Sequence, residues 1–128
     1  MKFLASIVLM ALSLTVHADT PMQILERLQA EAGTVASVER GRQFYHGKFT
    51  GGRSDSCASC HTQDPRAAGR HERTNKAIEP LSPTVNRERF SDPEKVEKWF
   101  KRNCNDVLGR ACSAREKADF TAYVIAPR

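Results

Sequence analysis

Apolar residues recur at intervals of three or four along several stretches of the chain, which is the spacing of one face of an α-helix. The first stretch, MQILERLQAEA, follows a Thr-Pro pair that suits a helix start, and Gly33 suits its end. The second runs from about Ser37 to His46, and its Gly41 would let a neighbouring helix approach closely. The pattern therefore predicts two helices before residue 47.

Two further helices are predicted near the C-terminus, each opened by a capping-box sequence. Ser91 and Glu94 form the first box, and Ser113 and Glu116 form the second. One face of the helix after Ser91 carries four residues at helical spacing: Val96, Trp99, Phe100 and Asn103. Residues 47–57 are rich in Gly and Ser and are predicted to form a loop, and residues 62–89 an irregular wrap with one buried piece at 77–83. No strand pattern persists, so the predicted class is all-α.

The N-terminus has the features of a secretory signal. Lys2 precedes an apolar run over residues 3–16, and Val16-His17-Ala18 is a small-x-small cleavage site. We interpret residues 1–18 as a cleaved signal peptide and residues 19–128 as a single domain in the periplasm; an uncleaved anchor is the alternative reading. Met1, Met10 and His17 would leave with the signal.

The charge pattern excludes some partners. The net charge is +5, or +4 once Lys2 is removed, and the charges of both signs are interleaved along the chain. No block of like charge and no basic-aromatic alternation suggests nucleic acid, although a weak preference for an acidic partner is compatible with this balance. We expect no insertion of the mature chain into the membrane.

The sequence Cys57-Ala-Ser-Cys60-His61 is the attachment motif of c-type haem. The two thiols add to the haem vinyl groups, and a helical turn places the following imidazole under the same ring. A redox dithiol does not need the trailing histidine, and a zinc site needs two more ligands at suitable spacing. We therefore predict one covalent haem c, with Cys57, Cys60 and His61 as its binding residues.

Cys104 and Cys112 remain once two thiols are assigned to haem, and they flank the turn between the last two helices. A disulfide between them fits an oxidising compartment and would stabilise the fold by about 2.5 kcal/mol. Such a bridge serves either as a plain staple or as a means of stiffening the preceding helix beside the haem.

The second axial ligand of the iron decides the function. An ordinary electron-carrying cytochrome c pairs His with Met, but Met22 is the only methionine of residues 19–128 and precedes the haem motif. His46 and His71 are better explained as surface residues than as ligands, and an iron with an open second axial position is a further alternative. Asn103 is polar yet lies on the apolar stripe, so its amide either bonds a carbonyl at the helix end or faces the iron.

Four segments resemble the sphaeroides haem protein (SHP) family, a group of class I cytochromes c that includes cytochrome c″. They are CASCHT, KAIEPLSPTVN, RFSDPEKVEKWFKRNCNDVLGRAC and EKADFTAYV, within a similarity that runs from about Val38 to the C-terminus. The resemblance implies a class I fold, a Cys104–Cys112 bridge, and an Asn at position 103 that binds oxidised iron and leaves on reduction, whereas cytochrome c″ has His there. It also implies small diatomic ligands such as oxygen or nitric oxide, a dihaem cytochrome c as electron donor and a membrane cytochrome b upstream.

Three functions remain open from the sequence. One is an electron-linked haem protein that binds small gases, with turnover of oxygen or a small nitrogen compound undecided because no acid-base histidine is evident beside the haem. The second is a plain electron shuttle between periplasmic partners, and the third is a ligand-binding sensor without turnover. The missing methionine disfavours an ordinary high-potential shuttle.

Overall fold

The chain is described by a computed structural model over residues 18–127. Its helices are α1 (Pro21–Ala32), α2 (Val38–His46), α3 (Ala58–His61), α4 (Pro93–Leu108) and α5 (Ala114–Ile125). The only strands in this part of the chain are β1 (Gly69–Arg70) and β2 (Ala77–Ile78), which pair antiparallel with Gly69 opposite Ile78. The all-α class is thus confirmed, whereas the signal peptide proposed for residues 1–18 lies almost wholly outside the described residues.

The helix ends follow local capping chemistry, with one correction. Thr20 caps α1 and Ser113 caps α5, as the sequence predicts; Ser113 forms the expected capping box, and Thr20 forms a further one with Gln23. The box predicted at Ser91 is wrong, because Asp92 is the cap of α4 and its carboxylate accepts from the backbone N–H groups of Glu94 and Lys95 at 3.0 and 3.2 Å. Ser91 instead donates its hydroxyl to a preceding carbonyl. Pro93 at the first helical position leaves Asp92 directly at the cap.

Helix α5 packs against both N-terminal helices. Gly41 of α2 makes the closest approach: a Cβ there would overlap the carbonyl oxygen of Asp119 and lie 2.8 Å from Cβ of Tyr123. The buried carboxylate of Asp119 accepts from Nε and Nη2 of Arg40 at 2.7 and 2.8 Å and from the backbone N–H of Ser37 at 2.6 Å. This ion pair ties the start of α2 to the middle of α5, and the close approach predicted for Gly41 is observed.

The wrap between α3 and α4 is irregular, as predicted, and it is anchored at a residue that the sequence did not single out. Leu81 and Ser82 are buried, but Ala77 at the start of the predicted buried piece is exposed. The carbonyl of the fully buried Pro65 accepts from the backbone N–H groups of Leu81 and Ser82, both at 2.9 Å. Pro65 therefore holds the wrap in place just beyond the haem motif.

The loop before α3 is pinned to the end of α4. Backbone N–H groups of Arg53 and Ser54 both donate to the carbonyl of Asp106, at 2.6 and 3.0 Å, and the Arg53 side chain pairs with the Asp106 carboxylate. A Cβ on Gly52 would overlap that same carbonyl oxygen, so glycine is needed for the contact. None of the helices between residues 18 and 127 has the length and apolar character needed to cross a bilayer.

Candidate haem site

A cavity of about 420 Å³ opens between α3, α4, α5 and the irregular wrap. Most of its wall is apolar, with side chains such as Phe44, Leu81, Phe90, Phe100, Val107 and Phe120. Cys57, Cys60, His61 and Asn103 all line the same cavity. The fold therefore brings the predicted haem residues together with the predicted ligand, although α3 and α4 are separated by more than thirty residues.

Cys57 and Cys60 present free thiols to this cavity from the two ends of one helical turn. A cluster of polar side chains just before them holds α3 in place, because Ser56 Oγ accepts from the backbone N–H of Ser59 at 3.1 Å and Asp55 accepts from the Ser59 hydroxyl. Burial raises the pKa of the Cys57 thiol to about 12. A reactive redox dithiol needs an accessible thiolate, which a raised pKa disfavours. Over residues 18–127, no three His, Cys, Asp or Glu side chains gather as metal ligands.

His61 ends α3 and is half-buried on the cavity wall. Burial, and then the positive charge of Arg89, lower the pKa of its imidazole to about 4. The ring is therefore neutral at physiological pH, which is the form that binds a metal. The buried hydroxyl of Tyr45 lies 3.0 Å from the His61 carbonyl oxygen and 2.8 Å from that of Thr62, so the backbone at the end of α3 is fixed from α2.

Asn103 lies on the cavity wall, on α4. Its side chain lines the space predicted for the haem, and it makes no hydrogen bond to any residue from 18 to 127. The next residue, Cys104, forms a disulfide with Cys112 with 5.6 Å between their Cα atoms, and both cysteines also line the cavity. The bridge expected from the sequence is present directly beside Asn103.

The other candidate ligands fall in different places. Met22 is 55% exposed on α1 and is not on the cavity wall. His46 is also outside the cavity lining, and its Nε2 lies 3.0 Å from the Tyr123 hydroxyl. His71, in contrast, is half-buried and lines the cavity. Its Nδ1 accepts from the backbone N–H of Thr74 at 3.1 Å.

The position of His71 corrects the sequence argument, which placed it on the surface and found no histidine beside the haem. The polar stretch AGRHERT gives no apolar periodicity that would reveal this position. The β1–β2 hairpin turns the stretch back over the cavity, and the His71 N–H donates to the Lys76 carbonyl at 2.8 Å. The hairpin thus places the His71 ring on the cavity wall.

Arg89 and Trp99 were not predicted as site residues, yet both line the cavity. The Arg89 guanidinium lies 4.5 Å from the centre of the Trp99 ring and donates to the carbonyls of Pro80 and Glu79, both at 2.9 Å. Burial lowers the pKa of Arg89, and no carboxylate among residues 18–127 forms an ion pair with it. A positive charge therefore stands on the cavity wall within reach of His61.

The residues of this cavity fit a covalent haem. An apolar wall suits the porphyrin faces, two neighbouring thiols suit its vinyl groups, and a neutral imidazole in the next position suits its iron. The cation at Arg89 suits the acidic side chains of the porphyrin. These features come from separate elements, so their convergence on one cavity is a stronger indication than the motif alone.

Comparisons with known proteins agree with this site. Residues 31–124 match the family model described as a domain of unknown function, DUF1924. The chain is 45% identical over 109 residues to cytochrome c-type protein SHP from Cereibacter sphaeroides, covering 84% of each protein. These matches span most of the described chain.

Solved structures give the same result. A structure of oxidised SHP, described as an oxygen-binding cytochrome c, superposes with a TM-score of 0.82 at 43% identity, covering 86% of this chain and 99% of that one. The solution structure of cytochrome c″ from Methylophilus methylotrophus, a study of haem-ligand detachment, gives 0.71 at 36% identity, covering 84% of this chain and 93% of that one. The chain therefore belongs to the family of SHP and cytochrome c″ and is a mostly helical c-type cytochrome whose cofactor is covalently attached haem c.

Proposed function

We propose that this cytochrome binds small diatomic ligands in its reduced state, after an internal ligand has left. In this proposal Cys57 and Cys60 hold the haem by thioether bonds, His61 is its permanent axial ligand, and Asn103 is the second ligand only in the oxidised state. The observation that carries the proposal is the placement of Asn103: an amide without a hydrogen-bond partner in the described chain, lining the same cavity as His61.

The chemistry of an amide oxygen explains why such a ligand would be temporary. When bound, haem c supplies an iron that alternates between Fe(III) and Fe(II) and accepts a small ligand. The Asn103 oxygen is a weak, hard donor that suits Fe(III) better than the softer Fe(II). Once released, the same side chain can donate an amide N–H to a small polar molecule in the cavity, at a gain of about 1 kcal/mol.

Two relatives support this reading. SHP is described as an oxygen-binding cytochrome c, and the solution structure of cytochrome c″ concerns haem-ligand detachment. Met22, the only methionine between residues 18 and 127, is exposed and lies outside the cavity lining, so it is not placed to bind the iron. We extend oxygen or nitric oxide binding to this chain on that basis.

A second candidate is a bis-histidine electron carrier, and the position of His71 favours it. His71 lines the cavity, and Nδ1 is engaged by a backbone N–H, so Nε2 is the ring nitrogen available to a metal. An imidazole that stayed bound in both oxidation states would leave no position for a gas, and that protein would transfer electrons only. Turnover of a bound gas and a sensor role are further options within the first proposal.

We place the protein in the periplasm, after removal of residues 1–18, with a dihaem cytochrome c as its electron donor. The distribution of charge supports a protein partner with an acidic surface. Residues 70–102 carry nine Lys and Arg against six Asp and Glu, whereas the charges of the other described residues cancel. This segment includes Lys76 and Arg102, which are exposed at the cavity, so a complementary surface would be steered toward the haem.

The proposal is tested by optical titration of the purified holoprotein with carbon monoxide and nitric oxide, before and after reduction. We expect carbon monoxide to bind only the reduced form, in which no side chain competes for the second axial position. A reduced protein that stays six-coordinate and low-spin, and that ignores carbon monoxide, would favour the bis-histidine carrier instead.

A further inference from the structure

The residue that follows His61 has a backbone conformation reserved almost entirely for glycine. Thr62 has φ 63° and ψ −179°. A Cβ is strongly disfavoured there, and a β-branched side chain more so. Residues held in such conformations persist only where the surroundings fix them, and they cluster at functional sites. Of the three non-glycine residues with positive φ between residues 18 and 127, Thr62 is the one directly next to the proposed axial histidine.

Three hydrogen bonds hold Thr62 in this conformation. Its hydroxyl donates to the Asp64 carbonyl at 3.0 Å and accepts from the Asp64 N–H at 3.2 Å. The third comes from another helix: the Tyr45 hydroxyl donates its single proton toward the His61 and Thr62 carbonyl oxygens, at 3.0 and 2.8 Å. Tyr45 thus bonds both carbonyls that flank the strained residue.

Tyr45 is itself rigidly held. It is 0% exposed, and its ring packs against that of Tyr123 with 5.3 Å between centroids. Its helix, α2, is fastened to α5 by the close contact at Gly41 and by the Arg40–Asp119 ion pair. Because α2 is fixed against α5, Tyr45 cannot move with the His61 backbone. A displacement of that backbone would therefore break the buried hydrogen bond from the Tyr45 hydroxyl.

We infer that Tyr45 is a positioning residue, which fixes the backbone of His61 through the strained Thr62 peptide and so sets the geometry of the bond from imidazole to iron. The inference rests on the proposed role of His61 as permanent ligand. The consequence would be greatest in the reduced state, where Asn103 is proposed to leave: His61 would then be the only protein ligand, and Tyr45 would hold its backbone in place.

The test is resonance Raman spectroscopy of the ferrous holoprotein, in which the iron–histidine stretching band reports this bond directly. Tyr45→Phe keeps the ring and removes only the hydroxyl. We expect the band to broaden and to shift to lower frequency than in the wild type. Tyr123→Phe is the matched control. It also removes a buried hydroxyl from a ring packed against Tyr45, but that hydroxyl contacts His46 and not the His61 backbone. An unchanged band in Tyr45→Phe, or equal shifts in both variants, would overturn the inference.

Thr62→Gly provides the second arm, since glycine adopts this conformation without strain. The shift caused by Tyr45→Phe should be at most half as large in the Thr62→Gly background. Should Tyr45→Phe alone fail to accumulate as holoprotein, the double variant must restore it, and a failure of that rescue contradicts the inference. A wild-type ferrous protein with no iron–histidine band would instead refute the proposed five-coordinate reduced state, so the two failures are distinguishable.

Discussion

Three consecutive residues of α4, Asn103 to Asn105, have different surroundings because each side chain points in a different direction from the helix. Successive side chains are turned by about 100°, so Asn103 lies on the cavity wall, Cys104 turns to its disulfide with Cys112, and Asn105 lies outside the cavity lining. Two asparagines of identical chemistry therefore have different surroundings. Asn105 offers a natural control for any substitution at Asn103.

Arg89 gives a prediction at the same scale. Its charge lies on the cavity wall, is partly desolvated, and already depresses the pKa of His61. A cation in such surroundings stabilises the haem state that carries one more electron. We expect Arg89→Gln to lower the reduction potential, as measured by redox titration of the holoprotein.

The control for Arg89 is Arg87→Gln, which removes the same charge from an exposed position two residues away. Solvent and salt screen that charge, so its effect should be much smaller. Equal potentials in wild type and Arg89→Gln, or equal shifts in the two variants, would show that the Arg89 charge does not act on the iron.

At the scale of the elements, the packing of α2 against α5 depends on a single missing methyl group. A Cβ at position 41 would overlap a backbone carbonyl of α5, which cannot move aside like a flexible side chain. Gly41→Ala should therefore lower the free energy of unfolding by about 2 kcal/mol in spite of the better helix propensity of alanine. Chemical denaturation of the holoprotein measures this change.

Gln43→Ala is the comparison for Gly41→Ala, because Gln43 is exposed on the same helix. Its effect should stay within about 0.5 kcal/mol. A stabilising effect of Gly41→Ala would mean that α2 and α5 are farther apart than described, and Tyr45 would then lose the support that its positioning role requires.

The Cys104–Cys112 disulfide joins the end of α4 to the start of α5. Its loss in the double variant Cys104→Ser/Cys112→Ser should lower the free energy of unfolding by about 2.5 kcal/mol, since a short closed loop then gains entropy in the unfolded chain. Added reductant should destabilise the wild type by a similar amount and leave the variant unaffected. A reductant that destabilises both proteins equally would mean that the bridge is not the source of the effect.

The elements show which parts of this fold are readable from local sequence. Capping residues and 3.6-residue periodicity predict α1, α2 and α5, because both signals act within one turn of helix. The cap of α4 is displaced by one residue, since Ser91 and Asp92 are both good caps and only the position of Pro93 selects between them. The anchoring role of Pro65 depends on hydrogen bonds to residues sixteen and seventeen positions away, which leave no local pattern.

At the scale of the whole molecule, the haem site is assembled from distant segments, and this decides what the sequence could predict. The motif at Cys57, Cys60 and His61 is local, so its chemistry is evident before the fold is known. Asn103 is singled out because its helix face is amphipathic and because the chain resembles a known family. His71 and Arg89 reach the cavity through a hairpin and through backbone hydrogen bonds, and no periodic pattern marks either one.

The fold also separates the charges. The excess of positive charge lies in residues 70–102, which form one side of the haem cavity, whereas the rest of the described chain is balanced. The ligand site and the surface proposed for the electron donor are thus adjacent. An electron delivered to this positively charged surface would therefore arrive next to the haem iron.

The central claim is that Asn103 holds the oxidised iron, and the most direct measurement is the optical and electron paramagnetic resonance spectrum of the ferric holoprotein in Asn103→Ala, His71→Ala and Asn105→Ala. We expect Asn103→Ala to retain its covalent haem but to acquire the ferric spectrum of an iron with water or nothing as second ligand. His71→Ala and Asn105→Ala should keep the wild-type spectrum. A wild-type spectrum in Asn103→Ala together with an altered one in His71→Ala would contradict the account and identify the protein as a bis-histidine electron carrier.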